Sequence, residues 1–243
     1  MSTPESADDG RRPGALVIAV DGPSGSGKSS VSREVARRLG LAYLDTGAMY
    51  RALAWWCLDT GVDLADRDAT AAAGEMLPLA ITTDPADVRV LVGDTDISEA
   101  IRTTRVSEQV SLVATNLAVR EQMRRRQRTL IAADHAGTVA EGRDITTVVA
   151  PDAAVRVLLT ATEQARLERR ALELHGQADD AAIAATHDQV VRRDRDDSTV
   201  SRFVDAAEGV TTIDSSALDF EQVVGAVLAL VEQRTGRRPV VTS

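Results

Sequence analysis

Aromatic residues, cysteine and lysine are all scarce in this chain of 243 residues. Phe, Trp and Tyr make up only 2% of it, which disfavours the aromatic stacking surfaces that bind single-stranded nucleic acids. The single cysteine, Cys57, cannot form an intramolecular disulfide, so a disulfide scaffold is excluded and a reducing compartment is favoured. Apolar runs are too short to span a membrane. We therefore expect a cytoplasmic protein with neither a membrane nor a nucleic acid as its partner.

The charge balance is acidic, with a formal net charge of -9 and a pI of about 4.9. Such a surface repels polyanions, so an anionic ligand requires local positive charge. Lys28 is the only lysine, and every other residue among the 28 Lys and Arg is arginine. An ammonium is a compact point charge that a planar guanidinium reproduces poorly. The sequence therefore predicts a role for Lys28 that arginine does not fill.

Short apolar runs alternate with amphipathic segments, a pattern that predicts an α/β fold with a parallel sheet covered by helices on both faces. The predicted strands are residues 15–20, 42–44, 138–140, 155–159 and 210–213, and the accompanying helices are 29–39, 48–58, 162–174, 181–193 and 220–231. Two strand-like runs, 79–82 and 88–92, and two helical runs, 106–114 and 117–133, form an apparent insertion. Residues 1–14 are expected to be a disordered leader, and residues 236–243 a flexible tail.

The most informative motif is GPSGSGKS at residues 22–29, which matches G-x-x-x-x-G-K-[ST]. It follows the first predicted strand and begins the first predicted helix, the context in which a phosphate-binding loop (P-loop) forms. Backbone N–H groups of such a loop surround a phosphate, Lys28 reaches the β and γ oxygens, and Ser29 binds Mg²⁺. The predicted ATP contacts are Gly22, Pro23, Ser24, Gly25, Ser26, Gly27, Lys28, Ser29 and Ser30.

GTPases, motor ATPases and small-molecule kinases all use a P-loop. The guanine-specific Asn-Lys-x-Asp signature is impossible here, because the only lysine lies inside the P-loop. Arginine clusters favour phosphoryl transfer, which needs cations to neutralise the donor and acceptor phosphates. The segment DTGAMYR, residues 45–51, adds a carboxylate, a hydroxyl and a cation at the C-terminal end of the second strand. Ligands bind at that edge in open α/β sheets.

Together with GDTDISEAIR (93–102), VREQMRRRQR (119–128), EGRDITTVVAPDA (141–153) and RDRDDS (193–198), these motifs resemble the cytidylate kinases over about residues 15–230. The resemblance implies a P-loop NTPase domain of three α/β/α layers over residues 15–235. It also implies an insertion at about 62–135 that binds the nucleoside monophosphate (NMP) and a helical lid at about 162–200. The implied reaction transfers the γ-phosphoryl group of ATP to CMP or dCMP, with Mg²⁺ as cofactor.

The same resemblance assigns roles to individual positions. The implied catalytic residues are Lys28, Arg51, Arg143 and Arg193, and the implied substrate-binding residues are Asp45, Thr46, Arg51, Ser111, Arg120, Arg143, Asp144, Arg193, Asp197 and Arg202. Of these, Arg51 and Arg143 would hold the acceptor phosphate. Cytosine would be recognised by Ser111, Arg120 and Asp144, and the sugar hydroxyls by Arg193 and Asp197.

Three positions depart from the family pattern. Val200 stands in place of a phosphate-binding arginine, for which the nearby Arg202 is a substitute. Thr146 replaces the usual glycine after GRD-[IM], and Ala150 replaces an aromatic residue. These departures bear on rate and affinity more than on identity.

Two other functions stay open: a P-loop kinase for another small acceptor, and a nucleotide-binding protein without kinase activity, in which Val200 marks a decayed acceptor site. Some residues also have plainer explanations. Asp45 suits a helix N-cap, and Arg193 with Asp197 suits an i,i+4 ion pair. Arg124, Arg125, Arg126 and Arg128 suit a solvated helix face. No extended apolar helix face is left over, so we expect a monomer.

Overall fold

Strand β1 (Leu16–Asp21) lies at the centre of the main sheet, and all six of its residues are buried. This computed structural model describes residues 15–177, 179–201 and 203–240, with the side chains of 173–175, 180, 185, 188–190 and 193 left out. β1 pairs in parallel with β6 (Gly137–Gly142) and β7 (Val155–Thr160). Strands β2 (Ala42–Asp45) and β8 (Thr211–Asp214) extend this parallel sheet to the order β2-β6-β1-β7-β8.

Helices cover both faces of this sheet. They are α1 (Lys28–Leu39), α2 (Thr46–Thr60), α3 (Arg67–Met76), α4 (Thr104–Ser107), α5 (Val110–Ala114), α6 (Leu117–Ala133), α7 (Glu163–His175), α8 (Asp180–Ser198) and α9 (Phe220–Thr235). Alternate residues of β1 enter two apolar clusters: Val17 and Ala19 pack with α2 and α6, whereas Ile18 and Val20 pack with α1 and α9. Because β1 is buried on both faces, its sequence is continuously apolar. The predicted three-layer α/β fold is confirmed.

The inserted region contains helices α3 to α6 and a small antiparallel sheet of β3 (Leu79–Ile81), β4 (Val90–Val92) and β5 (Thr95–Asp96). It joins the main sheet at its edge, where the backbone N–H of Tyr43 in β2 donates to the Thr83 carbonyl at 2.8 Å. The helix predicted over residues 106–114 is instead two short helices, α4 and α5. The chain tightens between them, since the Gln109 N–H donates to the Val106 carbonyl three residues back.

Helices α7 and α8 pack against each other, and Gly176 ends α7 in the left-handed conformation. Beyond α9, Arg237 donates to the Leu39 carbonyl at 3.0 Å and the Val240 N–H donates to the Arg38 carbonyl at 2.7 Å. The flexibility expected of residues 236–243 stays a prediction, and the leader, residues 1–14, lies outside the described residues. Within the described ranges, no helix has the length and apolar composition of a membrane span.

Candidate active site

The P-loop connects β1 to α1, and its path requires glycine at two positions. Gly25 and Gly27 have φ angles of +76° and +87°, in the left-handed region that side chains with a Cβ disfavour. The loop ends at Lys28, the first residue of α1. The N-terminus of a helix carries positive potential and unpaired N–H groups. The motif therefore has the local structure that a phosphate-binding loop needs.

A cavity of about 750 Å³ opens beside the P-loop at the C-terminal edge of the sheet. Its lining includes the predicted donor-site residues Ser24, Gly25, Gly27, Lys28, Ser29 and Ser30 and the predicted acceptor-site residues Asp45, Thr46, Arg51, Arg120, Arg143, Asp144 and Asp197. Gly22, Pro23, Ser26 and Ser111 are not among the lining residues. The side chain of Arg193 and the whole of Arg202 lie outside the described residues. One cavity thus contains most of the residues predicted for both substrates.

At the donor end of the cavity, a hydroxyl and two carboxylates converge. The Ser29 hydroxyl donates to Glu141 Oε1 at 2.6 Å, and Glu141 and Asp45 are both buried. Burial raises the pKa of Glu141, and the neighbouring Asp45 raises it further. Burial also raises the pKa of Asp45, but the cations Arg51, Arg102 and Lys28 outweigh this effect and lower it. Asp45 is therefore the more readily ionised carboxyl of the two.

Asp45 also organises the start of α2. Its Oδ1 accepts the Ala48 N–H at 2.8 Å, which confirms the predicted N-cap. Its Oδ2 accepts from Arg51 Nη2 at 2.9 Å and lies 4.0 Å from Arg102 Nη2. Arg51 Nε is buried without a hydrogen-bond partner in the described structure, so the guanidinium keeps an unused donor. Two arginines therefore flank one carboxylate on the cavity wall.

Arg120 and Asp144, which also line the cavity, form a buried pair. Arg120 Nη2 donates to Asp144 Oδ2 at 2.6 Å and to the Ser201 hydroxyl at 2.8 Å, and Nη1 donates to the Ala114 carbonyl at 3.0 Å. Two of the three predicted cytosine residues thus meet although they are 24 positions apart. Ser107 and Ser201 also line the cavity, whereas Ser111 does not.

Arg143 connects the P-loop to α8. It donates to the Gly22 carbonyl at 2.7 Å and to Asp197 Oδ2 at 3.0 Å, and its Nη2 lies 3.0 Å from Asp194 Oδ1. Its guanidinium lies over the Phe203 ring, 4.4 Å from the centroid, a cation–π contact. Arg143 is therefore one partner of Asp197, and the predicted pairing of Asp197 with Arg193 stays a prediction.

The departure at Thr146 has a local explanation. Asp21, the last residue of β1, is buried and accepts hydrogen bonds from the Ile145 N–H at 2.9 Å, the Thr146 N–H at 2.8 Å and the Thr146 hydroxyl at 2.6 Å. Burial raises the pKa of Asp21 to about 6, against the lowering effect of these hydrogen bonds. Thr146 therefore supplies a hydroxyl donor that glycine lacks. This hydrogen bond fixes the segment that follows Arg143 and Asp144.

Four residues of this site were absent from the predicted set: Arg102, Glu141, Asp194 and Ser201. Each of them lies within or beside a segment that the sequence analysis singled out. Acidic residues, arginine and serine are ordinary surface residues, however, so their type alone gave no signal. Among the four arginines expected on a solvated face of α6, Arg125 is exposed and Arg124 is half-exposed. The half-exposed Arg126 donates to the Leu77 carbonyl at 3.0 Å, and the exposed Arg128 donates to the Val148 carbonyl at 2.8 Å.

Comparison with known proteins points to one family. The family model described as cytidylate kinase matches residues 18–233. A curated cytidylate kinase of Cutibacterium acnes is 52% identical over 218 residues, covering 89% of this chain and 96% of that protein. A second, of Rhodococcus opacus, is 48% identical over 226 residues, covering 91% and 97%. A solved structure of an uncharacterized protein from Eubacterium ventriosum shares the fold, with a TM-score of 0.50 at 11% identity, covering 90% of this chain and 99% of that one.

Proposed function

Because the chain belongs to the cytidylate kinase family, we propose that it transfers the γ-phosphoryl group of ATP to CMP and dCMP, giving CDP and dCDP. The main observation in support is that one cavity joins the P-loop to the buried Arg120–Asp144 pair. The P-loop provides an ammonium and N–H donors for the phosphates of ATP. The Arg120–Asp144 pair provides both donors and acceptors for a base. We also expect the enzyme to be monomeric and cytoplasmic, without a nucleic acid or a membrane as partner.

On the donor side, Lys28 and the N–H groups at the start of α1 neutralise the β and γ phosphates. Lys28 Nζ donates to the Pro23 carbonyl at 3.3 Å, so the ammonium already lies against the loop. Arg170 of α7 lines the same cavity and adds a cation from the lid. Closure of the lid would exclude water, which competes with the acceptor for the phosphoryl group.

The residues at the donor end fit Mg²⁺, which prefers oxygen ligands and is usually held by few protein groups together with substrate phosphates. Ser29 would hold the ion, and Asp45 and Glu141 are buried carboxylates beside it. When bound, Mg²⁺ supplies charge neutralisation between the phosphate oxygens. The low pKa of Asp45 keeps a negative charge available to the ion near neutral pH.

On the acceptor side, Arg51 and Arg143 hold the phosphate of CMP, with Arg102 as a further cation on the cavity wall. Asp144 accepts from the exocyclic amine of cytosine, and Arg120 donates to its ring acceptors. Asp197 binds the sugar hydroxyls. The transfer is direct and in line, so positioning and charge neutralisation account for catalysis. Thr46, Ser111, Arg193 and Arg202 complete the proposed acceptor site.

The first test is ADP release with Mg·ATP against CMP, dCMP, UMP, AMP, GMP, dTMP and shikimate. We expect strong stimulation by CMP and dCMP. Stimulation only by another acceptor would keep the kinase and refute the cytosine roles of Ser111, Arg120 and Asp144. ATP binding without turnover of any acceptor would favour a nucleotide-binding protein without kinase activity.

A matched pair of variants on α6 tests base recognition. Arg120→Gln leaves Asp144 without its buried partner and removes a donor to cytosine, so the KM for CMP should rise about tenfold or more. Arg125→Gln is the control, because Arg125 is exposed and pairs with Glu75 at the surface. Equal KM values for the two variants would contradict the assignment.

A further inference from the structure

Asp194 of α8 lies where the lid helices meet the P-loop. Its Oδ1 accepts the backbone N–H of Ser24 at 3.0 Å, and its Oδ2 accepts a hydrogen bond from Arg166 of α7. Arg166 also donates to the Ser24 carbonyl at 2.9 Å. One carboxylate, one guanidinium and one residue of the P-loop backbone therefore join α7, α8 and the P-loop.

This contact is closely packed and shielded from water. A Cβ at Gly25 would lie 2.6 Å from the Arg166 carbonyl oxygen, so α7 rests directly on the P-loop backbone. The side chains of Arg166 and Asp194 are 11% and 15% exposed. Removing one partner of such a shielded pair leaves a poorly compensated charge. The orientation of Arg166 therefore depends on the negative charge of Asp194.

Arg166 keeps a donor that its described contacts do not use. Its Nε is buried and has no hydrogen-bond partner in the described structure, while Nη1 is committed to Ser24 and Asp194. A guanidinium presents its N–H groups in a rigid plane, so fixing one edge fixes the direction of the others. Asp194 thereby sets where the remaining N–H groups of Arg166 point.

Arg143 also contacts Asp194, but it depends on it less. Its Nη2 lies 3.0 Å from Asp194 Oδ1, while its Nε donates to Asp197 at 3.0 Å and its Nη1 to the Gly22 carbonyl at 2.7 Å. Arg143 therefore keeps a second carboxylate when Asp194 loses its charge. The effect of a neutral residue at position 194 should fall chiefly on Arg166.

We propose that Asp194 is a positioning residue that holds the lid arginine Arg166 against the P-loop, in the orientation from which it binds the phosphates of ATP. The inference rests on the proposed kinase function. Asp194 acts through Arg166, because its carboxylate would repel phosphate oxygens. Its contribution to kcat is therefore expected chiefly while Arg166 is present.

The test compares Asp194→Asn with Asp196→Asn, a control that removes one carboxylate from the same helix. With CMP and Mg·ATP, Asp194→Asn should lower kcat about tenfold or more and change the KM for CMP much less. Asp196→Asn should keep the wild-type kcat, and Asp194→Glu should recover part of the loss. Circular dichroism should show the same fold in all variants. A wild-type kcat in Asp194→Asn would overturn the inference.

A double-mutant cycle tests whether Asp194 acts through Arg166. In the Arg166→Gln background, adding Asp194→Asn should cause no further loss of kcat. A full additional loss would refute a positioning role. The affinity for ATP, measured by calorimetry without an acceptor, separates this inference from the proposed function. If the wild type binds ATP but does not use CMP, the proposed function fails, and an unchanged ATP affinity in Asp194→Asn would then overturn the inference too.

Discussion

Replacing the buried carboxylate at the end of β1 should change how stability depends on pH. Burial raises the pKa of Asp21 from 3.8 to about 6. Between pH 3.8 and about pH 6, this carboxyl is therefore protonated to a greater extent in the folded protein than in the unfolded protein. The stability contributed by the protonated carboxyl is fully present below pH 3.8 and is lost as the pH rises through about 6. An asparagine side chain does not titrate, so Asp21→Asn removes this dependence.

The magnitude follows from the pKa. About pH 5 lies one unit below the folded pKa of about 6, and one unit corresponds to about 1.4 kcal/mol. Between about pH 7.5 and pH 5, the wild type should therefore gain about 1 kcal/mol relative to Asp21→Asn. The Asn amide opposes one of the three donors from Ile145 and Thr146, which adds a cost to the variant that does not depend on pH. That constant offset leaves the difference in slope unchanged.

Urea unfolding at both pH values measures this difference directly, provided that the m-values agree. Asp59→Asn, at an exposed position of α2, is the control for the loss of one carboxylate. A free-energy difference between wild type and Asp21→Asn that does not change with pH would refute the argument. Asp21 would then be ionised over the whole range, held so by its three hydrogen bonds.

Four further substitutions have defined expectations. Lys28→Ala should lower kcat by about a hundredfold or more without loss of fold, since the ammonium acts on developing phosphate charge; near wild-type turnover would contradict the P-loop assignment. Gly137→Ala should lower the free energy of unfolding by more than about 3 kcal/mol, because the added Cβ would lie 2.0 Å from the Leu16 carbonyl oxygen. Gly225→Ala should raise the free energy of unfolding by about 1 kcal/mol, because the space around Gly225 in α9 is open. Urea titrations of the two variants measure both changes. Asp219→Ala removes the capping box of α9 and should cost about 1 kcal/mol, a loss that an equal melting temperature would disprove.

The fold was predictable because the buried strands and amphipathic helices have distinct periodicities. The prediction stopped short where a polar residue belongs to a buried strand. β6 is predicted over residues 138–140 but extends through Gly142, because Glu141 and Gly142 pair with the last two residues of β1. Buried strands are identified by continuous apolar residues, so an acidic residue such as Glu141, buried in a functional site, hides the end of the strand. Local sequence patterns also do not predict the order of the strands in the sheet, because that order depends on pairing between distant segments.

For the site, the sequence was informative where a contact is local or belongs to a motif. The P-loop and the cap at Asp45 lie within a few residues of their partners. Arg120 and Asp144 came from the family resemblance, and the structure joins them in one cavity. Ser201 and Asp194 were missed because their partners lie 81 and 170 residues away, at Arg120 and Ser24. Only the tertiary fold brings such pairs together.

The contacts of Arg237 and Val240 bear on how the protein should be engineered. The last carbonyls of a helix lack partners within it, and these two residues bond the Arg38 and Leu39 carbonyls at the end of α1. That helix begins at Lys28, so the C-terminal segment supports the element that carries the P-loop lysine. A truncation that stops at residue 235 would remove both donors. Expression designs should keep residues 236–240 and place any affinity tag or fluorophore after them, separated by a flexible linker.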